Sequence, residues 1–353
     1  MFVLSVSFFG EPLNEDRRGP IFDPGRVYSR IFGSHNLGFR SPPFQCGLSQ
    51  NASPRHYSGG IAFSPASRRP SVPRSDSNLN SKREQLLDCL RSLGSCAVAF
   101  SGGVDSAVVA KAARVALGDR AVAVTGTSAS LAEGELAEAK RIAELIGIRH
   151  VIVETDEFSR VSYTRNAPDR CYHCKTELYS QIGNMLSNLS VSNIVNGTNA
   201  NDVGDYRPGM LAAGEKHVHS PLVECGIGKD DVRALAAAWQ LPVWDKPASP
   251  CLSSRVAYGE DVTPQRLEMI DRAEQHLRDC GFREVRVRYH RGDVARIELP
   301  IDGFQKLGDS QFRSTLIERF KALGFKFITL DLEGFRSGSL NQLIQIDDLR
   351  KTI

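Results

Sequence analysis

What this chain of 353 residues lacks narrows the field before any motif is read. No run of about 18 uninterrupted apolar residues occurs, which excludes a membrane-spanning helix and a membrane partner. Eight cysteines are too few for a disulfide-stapled secreted scaffold and read as mostly reduced thiols. No internal repeat is present. Net charge is scarce as well, with 44 Lys and Arg against 41 Asp and Glu. The surplus sits in residues 1–80, which hold nine Arg, no Lys and five acids; the remainder carries 35 basic and 36 acidic residues. A body so balanced, without a basic segment interleaved with aromatics, argues against nucleic acid as the partner.

Residues 1–80 stand apart. They hold nine of the 17 prolines, 14 of the first 81 residues are serine, and no hydrophobic period persists. Such a stretch cannot bury enough apolar surface to offset its chain entropy, so an extension without fixed structure is expected. Arginine without lysine, much serine and few acids predict an organellar presequence ending near residue 75, plastid or mitochondrial. Glu11, Glu15, Asp16 and Asp23 come early for such a segment. A plain disordered extension on a cytoplasmic protein is the alternative.

From Ser81 onward periodicity takes over, and two domains are expected, over residues 81–254 and 255–353. A helix is predicted over 82–93, followed by the apolar run Cys96-Ala-Val-Ala-Phe100 and a helix over 107–117. Strands are expected at 121–125, 151–153 and 193–196, with helices over 131–147 and 175–189 between them. Strands alternating with helices imply an α/β domain whose parallel sheet is covered on both faces. Beyond Arg255 the rhythm alters. Thr263-Pro264 opens a helix to about residue 280, with Thr at the cap and Pro in the first turn. Strands at 285–289 and 294–299 meet at Arg291-Gly-Asp293, and a helix at 312–323 precedes a strand at 327–332. This predicts a smaller C-terminal α+β domain.

The stretch Ser101-Gly-Gly-Val-Asp-Ser106 lies where a strand turns into a helix. Gly102 and Gly103 permit a tight turn and close backbone approach to a phosphate, and the helix N-terminus offers free N–H groups and a positive dipole end. Ser101 and Ser106 add hydroxyl donors, and Asp105 is placed to orient a metal ion or a backbone amide. The spacing is neither the Walker pattern nor the dinucleotide fingerprint. A glycine-rich turn with an N-cap is the bland alternative. Asp202 follows Gly197-Thr198 in a strand-end loop, where α/β sheets place ligands; a metal or substrate contact and a simple Asx-turn are both open. Arg286 and Arg288 alternate with Val285 and Val287, so both point to one face of a strand, and Glu298 is a cross-strand partner for an arginine. Cys225 and Cys280 read as small core residues.

Ser101–Ser106 resembles the pyrophosphate-binding loop of the PP-loop ATP pyrophosphatases. Three further stretches narrow the resemblance: Arg170-Cys-Tyr-His-Cys-Lys175; Asn196-Gly-Thr-Asn-Ala-Asn-Asp202 running to Asp205-Tyr-Arg-Pro-Gly209; and Trp244-Asp-Lys-Pro-Ala-Ser-Pro-Cys-Leu-Ser-Ser-Arg255. In this order they resemble the LarE family, ATP-dependent sulfur transferases that make the thiocarboxylates of the nickel-pincer nucleotide cofactor. The resemblance runs from about residue 82 to the end of the chain.

It implies an adenine nucleotide alpha hydrolase-like first domain, ATP and Mg²⁺ as cofactors, and adenylation of a carboxylate with release of pyrophosphate. Sulfur then attacks the acyl-adenylate and AMP departs. The implied acceptor is the small molecule pyridinium-3,5-biscarboxylic acid mononucleotide, and the implied assembly a homo-oligomer. Cys251 is the expected catalytic sulfur site, in a Pro-rich loop with Arg255 near enough in sequence to lower its pKa. In one branch of the family the matching cysteine is sacrificial. In another, cysteines at positions like Cys171, Cys174 and Cys251 hold a [4Fe–4S] cluster fed by a sulfide donor. This chain has all three, which favours the cluster; zinc held with His173, or a pair of buried helix-start cysteines, is the alternative. Gly197 is expected against the nucleotide, and Arg286 and Arg288 against the substrate phosphate or carboxylate, or else on a solvated strand face. A tRNA thiolase of the same superfamily and a non-catalytic nucleotide-binding module are the rival readings.

Overall fold

The computed structural model describes residues 76–203, 208–247 and 249–336. The expected presequence up to residue 75, residues 205–207 and Ala248 of the motif stretches, and residues 337–353 lie outside the described residues.

Helix α1 (Asp76–Leu93) begins six residues before the expected start, and β1 (Cys96–Ala99) follows. Then come α2 (Val104–Leu117), β2 (Ala121–Thr127), α3 (Glu135–Ile146), β3 (Arg149–Glu154), the single turn α4 (Val161–Thr164), α5 (Arg170–Leu189) and β4 (Asn193–Val195). The four strands pair in parallel in the order β3-β2-β1-β4. Alternate side chains serve opposite faces. Cys96, Val98, Ala121 and Ala123 pack with α1, α2 and α3, while Ala97, Val122 and Val124 pack with Tyr179 and Ile182 of α5. This is the α/β domain with a doubly covered parallel sheet that the apolar runs imply.

Two helix boundaries differ from expectation for identifiable reasons. Helix α3 starts at Glu135, four residues after the expected Leu131, because Gly134 at its N-cap takes a left-handed φ of 83°. Helix α5 starts five residues early, so Cys171 and Cys174 stand in its first turn. The region between β4 and residue 250, where no element is expected, holds α6 (Pro208–Glu215), α7 (Pro221–Glu224) and α8 (Lys229–Ala238). Val232, Leu235 and Ala236 of α8 join the core beside α2.

After a one-turn 3₁₀ helix, Leu252–Arg255, the chain forms α9 (Pro264–Asp279), β5 (Arg286–His290), β6 (Val294–Glu298), the short α10 (Phe304–Leu307), α11 (Ser310–Ala322) and β7 (Phe327–Leu330). Thr263 caps α9 as expected, its Oγ1 accepting the Arg266 N–H at 3.2 Å. β5 and β6 are antiparallel, and β7 adds parallel to β6. Their core of Leu267, Ile270, Val287, Ile297 and Phe320 also takes in Tyr163, with Phe158 and Cys174 packed against it. The second sheet thus shares its core with residues from the first half of the chain. Among the described residues no helix is long and apolar enough to cross a membrane.

Candidate active site

In the order β3-β2-β1-β4 the chain runs from β1 to one side and later returns to the other. The switch point lies between β1 and β4, where open α/β sheets bind ligands beyond the strand C-termini. The Ser101–Ser106 loop leaves β1 there, and Asn196–Asp202 leaves β4. The two are pressed together: a Cβ on Gly197 would stand 2.7 Å from the Ser106 backbone nitrogen and 3.0 Å from the Asp105 carbonyl carbon. Gly102 has φ +73°, and a Cβ there would meet the Ala139 Cα of α3 at 3.0 Å. Inside the loop, the Ser101 N–H donates to Ser106 Oγ at 3.2 Å, the Gly103 N–H to Ser101 Oγ at 3.3 Å, and Ser106 Oγ to the Gly103 carbonyl at 3.0 Å. Gly103 is the N-cap of α2 with no side-chain cap, so the first-turn amides are left for an anion.

Asp105 is engaged by side chains from two other elements. It accepts from Asn199 Nδ2 at 3.1 Å and pairs with the Lys229 ammonium at the start of α8. Asp202 closes a capping box with Asn199, whose N–H donates to the Asp202 carboxylate at 3.1 Å. The Asx-type turn here is made by Asn199, whose Oδ1 accepts the Asn201 N–H at 3.0 Å, while Asp202 bonds back to it and lines the cleft as well.

That cleft has a volume of about 1080 Å³. One side is the phosphate-type loop with Gly197 and Asp202; Cys171, Cys174, Cys251, Arg286 and Arg288 line it too. Of the nucleotide, substrate and sulfur-site residues expected from the sequence, only Gly102 and Arg255 stand outside the lining. Cys171 and Cys251 are exposed to it, and Cys174 is half-buried, its thiol pushed up to about 12 by burial and then by Cys251 nearby.

The Cys251 loop is held by its own backbone carbonyls, each bound by a buried arginine. Arg255 donates to the carbonyls of Pro250 and Cys251, Arg170 to that of Ser253 at 2.7 Å, and Arg288 to that of Ser254 at 2.9 Å. The Leu252 N–H donates to the Ser130 carbonyl at 2.9 Å, and Ser253 Oγ meets Tyr163 OH at 2.7 Å. Arg255 is 3% exposed, and its charge is met by Glu274 at 3.0 Å. Its donors hold the loop's backbone and Glu274.

Arg286 and Arg288 are buried, not solvated. Arg288 makes two bonds of 3.0 Å to Glu298, the partner foreseen for an arginine. Arg286 lies over the Phe335 ring at 4.7 Å and donates to the Arg336 carbonyl at 3.3 Å, and among the described residues no carboxylate pairs with it. Burial, then Arg288 and Arg255, bring its pKa down to about 10. A buried cation that faces a cleft and makes no ion pair with a carboxylate among the described residues is suited to an anion.

His173 is turned to Asp169, with Nε2 3.1 Å from Oδ2. Among the described residues no three His, Cys, Asp or Glu converge on a point able to hold a metal ion. Cys171, Cys174 and Cys251 nonetheless line the same cleft.

Three side chains of the site escape a reading of the sequence. Glu274 occupies the apolar stripe Leu267, Ile270, Glu274, Leu277 of α9, a signal of a buried charge in need of a partner. Arg170 adjoins Cys171 but opens a motif that gives it no role of its own. Glu157, 1% exposed, accepts from Ser128 Oγ at 2.6 Å and keeps Oε2 unpaired at the edge of the cleft, and nothing in the sequence marks it.

Comparison with known proteins bears on most of the chain. The asparagine synthase family model matches residues 83–184, which span the loop and the two-cysteine helix. An uncharacterised protein of Synechocystis sp. is 44% identical over 266 residues, 75% of this chain and 99% of its own length. An uncharacterised protein of Methanocaldococcus jannaschii is 26% identical over 242 residues, 68% of this chain and 90% of its own. The pyridinium-3,5-bisthiocarboxylic acid mononucleotide synthase of Lactiplantibacillus plantarum is 38% identical over 268 residues, 75% of this chain and 96% of its own. At 38% identity over 268 residues and 96% of that relative's length, the chain belongs to the LarE family of the PP-loop superfamily.

Proposed function

We propose that the chain is an ATP-dependent sulfur transferase that adenylates the carboxylate of a pyridinium mononucleotide and converts it to a thiocarboxylate. One observation carries this reading: a single cleft is lined by an uncapped phosphate-type loop, by three thiols and by the unpaired cation of Arg286. A carboxylate is a poor electrophile. Its oxygen would attack the α-phosphorus of ATP, the α–β anhydride bond breaks, and pyrophosphate leaves toward the first-turn amides of α2. Mg²⁺ takes one or two carboxylates along with phosphate oxygens, and Asp202 would supply one; the ion's chemistry there is charge neutralisation. Sulfur attack on the acyl carbon then breaks the bond to AMP. Arg286 supplies the counter-charge for the substrate phosphate or carboxylate, and the arginine-bound carbonyls fix Cys251 at the reacting end.

Cys171, Cys174 and Cys251 would hold a [4Fe–4S] cluster, which when bound supplies an open iron position for external sulfide. A second reading, Cys251 as a single-use sulfur source, is favoured by its exposure on the cleft wall. Iron and acid-labile sulfide content of the full chain purified without oxygen decides between them. About four of each, lost together in Cys171→Ala, supports the cluster. No iron, with a Cys251 peptide lighter by one sulfur after turnover, supports sacrifice. AMP formation dependent on a carboxylate mononucleotide is the expected activity. AMP formation only with tRNA would make the chain a tRNA thiolase, and ATP binding without AMP a nucleotide-binding module.

A further inference from the structure

Arg170 is the first residue of α5, and it is 4% exposed although it lines the cleft. Its Nη1 donates both to Asn166 Oδ1 and to the Ser253 carbonyl, and its Nη2 lies 4.0 Å from Cys171 Sγ. Asn166 is fully buried with φ 54°, and its Nδ2 donates to the carbonyls of Val256 and Ala257 at 3.2 and 2.9 Å. Together the two side chains tie the turn before α5 to the Cys251 loop at Ser253 and again just beyond it. Among the described residues no carboxylate pairs with Arg170.

A buried guanidinium without a carboxylate is costly unless something else meets its charge. Here the groups that face it are carbonyl and amide oxygens on one side and the cysteine sulfurs on the other. A lysine could not reproduce this, because it lacks the planar fork that reaches two acceptors and a sulfur at once. We infer that Arg170 is a positioning residue of the sulfur-transfer step, fixing the Cys251 loop against the Cys171 helix without taking part in adenylation. The inference rests on the proposed function for its kinetic consequence and on geometry alone for its structural one.

The test measures both in Arg170→Met and Arg170→Lys of the full chain. In a single turnover with ATP and the carboxylate mononucleotide, pyrophosphate release should stay within about threefold of wild type while the acyl-adenylate accumulates, and the rate of thiocarboxylate formation falls about a hundredfold in Arg170→Met, the loss expected when a reacting group is misplaced by about 1 Å. Arg170→Lys recovers only part of it, and free guanidinium added to an Arg170→Ala variant restores the rate. Amide hydrogen exchange supplies a readout independent of activity: residues 252–256 should exchange about tenfold faster in Arg170→Met, with β1 and β2 unchanged. Pyrophosphate release and thiocarboxylate falling in parallel, or unchanged exchange at 252–256, would overturn the inference. Wild type that releases no pyrophosphate would refute the proposed function instead, leaving the exchange experiment to judge Arg170.

Discussion

The closest backbone approach in the site makes a demanding test. Replacing Gly197 with Ala puts a Cβ 2.7 Å from the Ser106 nitrogen and 3.0 Å from the Ser106 Cα, both backbone atoms that no side-chain rotation can move. Ordinary contact begins near 3.4 Å, so the loop after β4 and the first turn of α2 must separate by about 0.7 Å. Overpacking of this kind costs about 1–3 kcal/mol. The strain is relieved most directly by moving residues 105 and 106, whose amides are those offered to phosphate. We expect Gly197→Ala to unfold at lower denaturant by that amount and to bind ATP about tenfold more weakly, since 1.4 kcal/mol is a factor of ten. Denaturant unfolding and titration calorimetry measure the two. Gly183 in α5 is the control, because a Cβ there meets nothing within 4 Å. Its Ala variant should be more stable by up to about 1 kcal/mol, from helix propensity alone, with ATP binding unchanged. Wild-type ATP affinity and stability in Gly197→Ala would refute the claim that this contact sets the loop.

Removing the Arg255 guanidinium as Met leaves the fully buried Glu274 with Arg278 and the Val287 N–H as its remaining partners, and should cost about 1–3 kcal/mol in denaturant unfolding. Cys89 is only half-buried, yet burial and then the Glu224 carboxylate push its thiol from 9.0 up to about 12. At pH 8 it should therefore carry about a thousandfold less thiolate than an unperturbed cysteine and alkylate correspondingly slowly, with Glu224→Gln recovering part of the rate in a mass-spectrometric time course. His150, His276 and His290 all have pKa values lowered chiefly by burial, so the unfolded chain binds protons first as pH falls. Stability should drop as pH falls below about 6.5 and hold steady above it, read as the melting temperature across pH 5–8.

The first domain is legible because its chemistry and its periodicity coincide: apolar strands short enough to be buried on both faces, each followed by an amphipathic helix. Even the position of the cleft follows once the strand order is known, since the two loops of interest leave neighbouring strands at the switch point. The order itself is not written in local spacing. Nor is the shared core that draws Tyr163 and Phe158 to the second sheet, because those residues stand in a short turn with no period of their own. Helix α8 escapes notice for a different reason, since its ten residues are few and the apolar turn that ends it is mostly alanine, which marks no face.

Charge is the least legible quantity. Arg255, Arg286 and Arg288 look alike as residues of a basic, loop-adjacent pattern, yet their surroundings give them three different tasks. Arg255 is saturated by Glu274 and two carbonyls, and Arg288 divides itself between Glu298 and the Ser254 carbonyl. Arg286 alone of the three meets no carboxylate, although Glu298 stands directly across from it in the strand register. Glu298 is occupied instead by Arg288 and, at 3.3 Å, by Arg296. The two strands thus carry three arginines to one buried glutamate, and Asp331 takes up part of Arg296. That imbalance leaves the positive charge on the arginine that lines the cleft, beside the exposed thiols. Adding a carboxylate near Arg286 would cancel it, whereas removing Glu298 would spread it over the whole hairpin and unsettle the fold. The position of the anion site is therefore a result of how the acids are shared among the arginines, which only the packed structure determines.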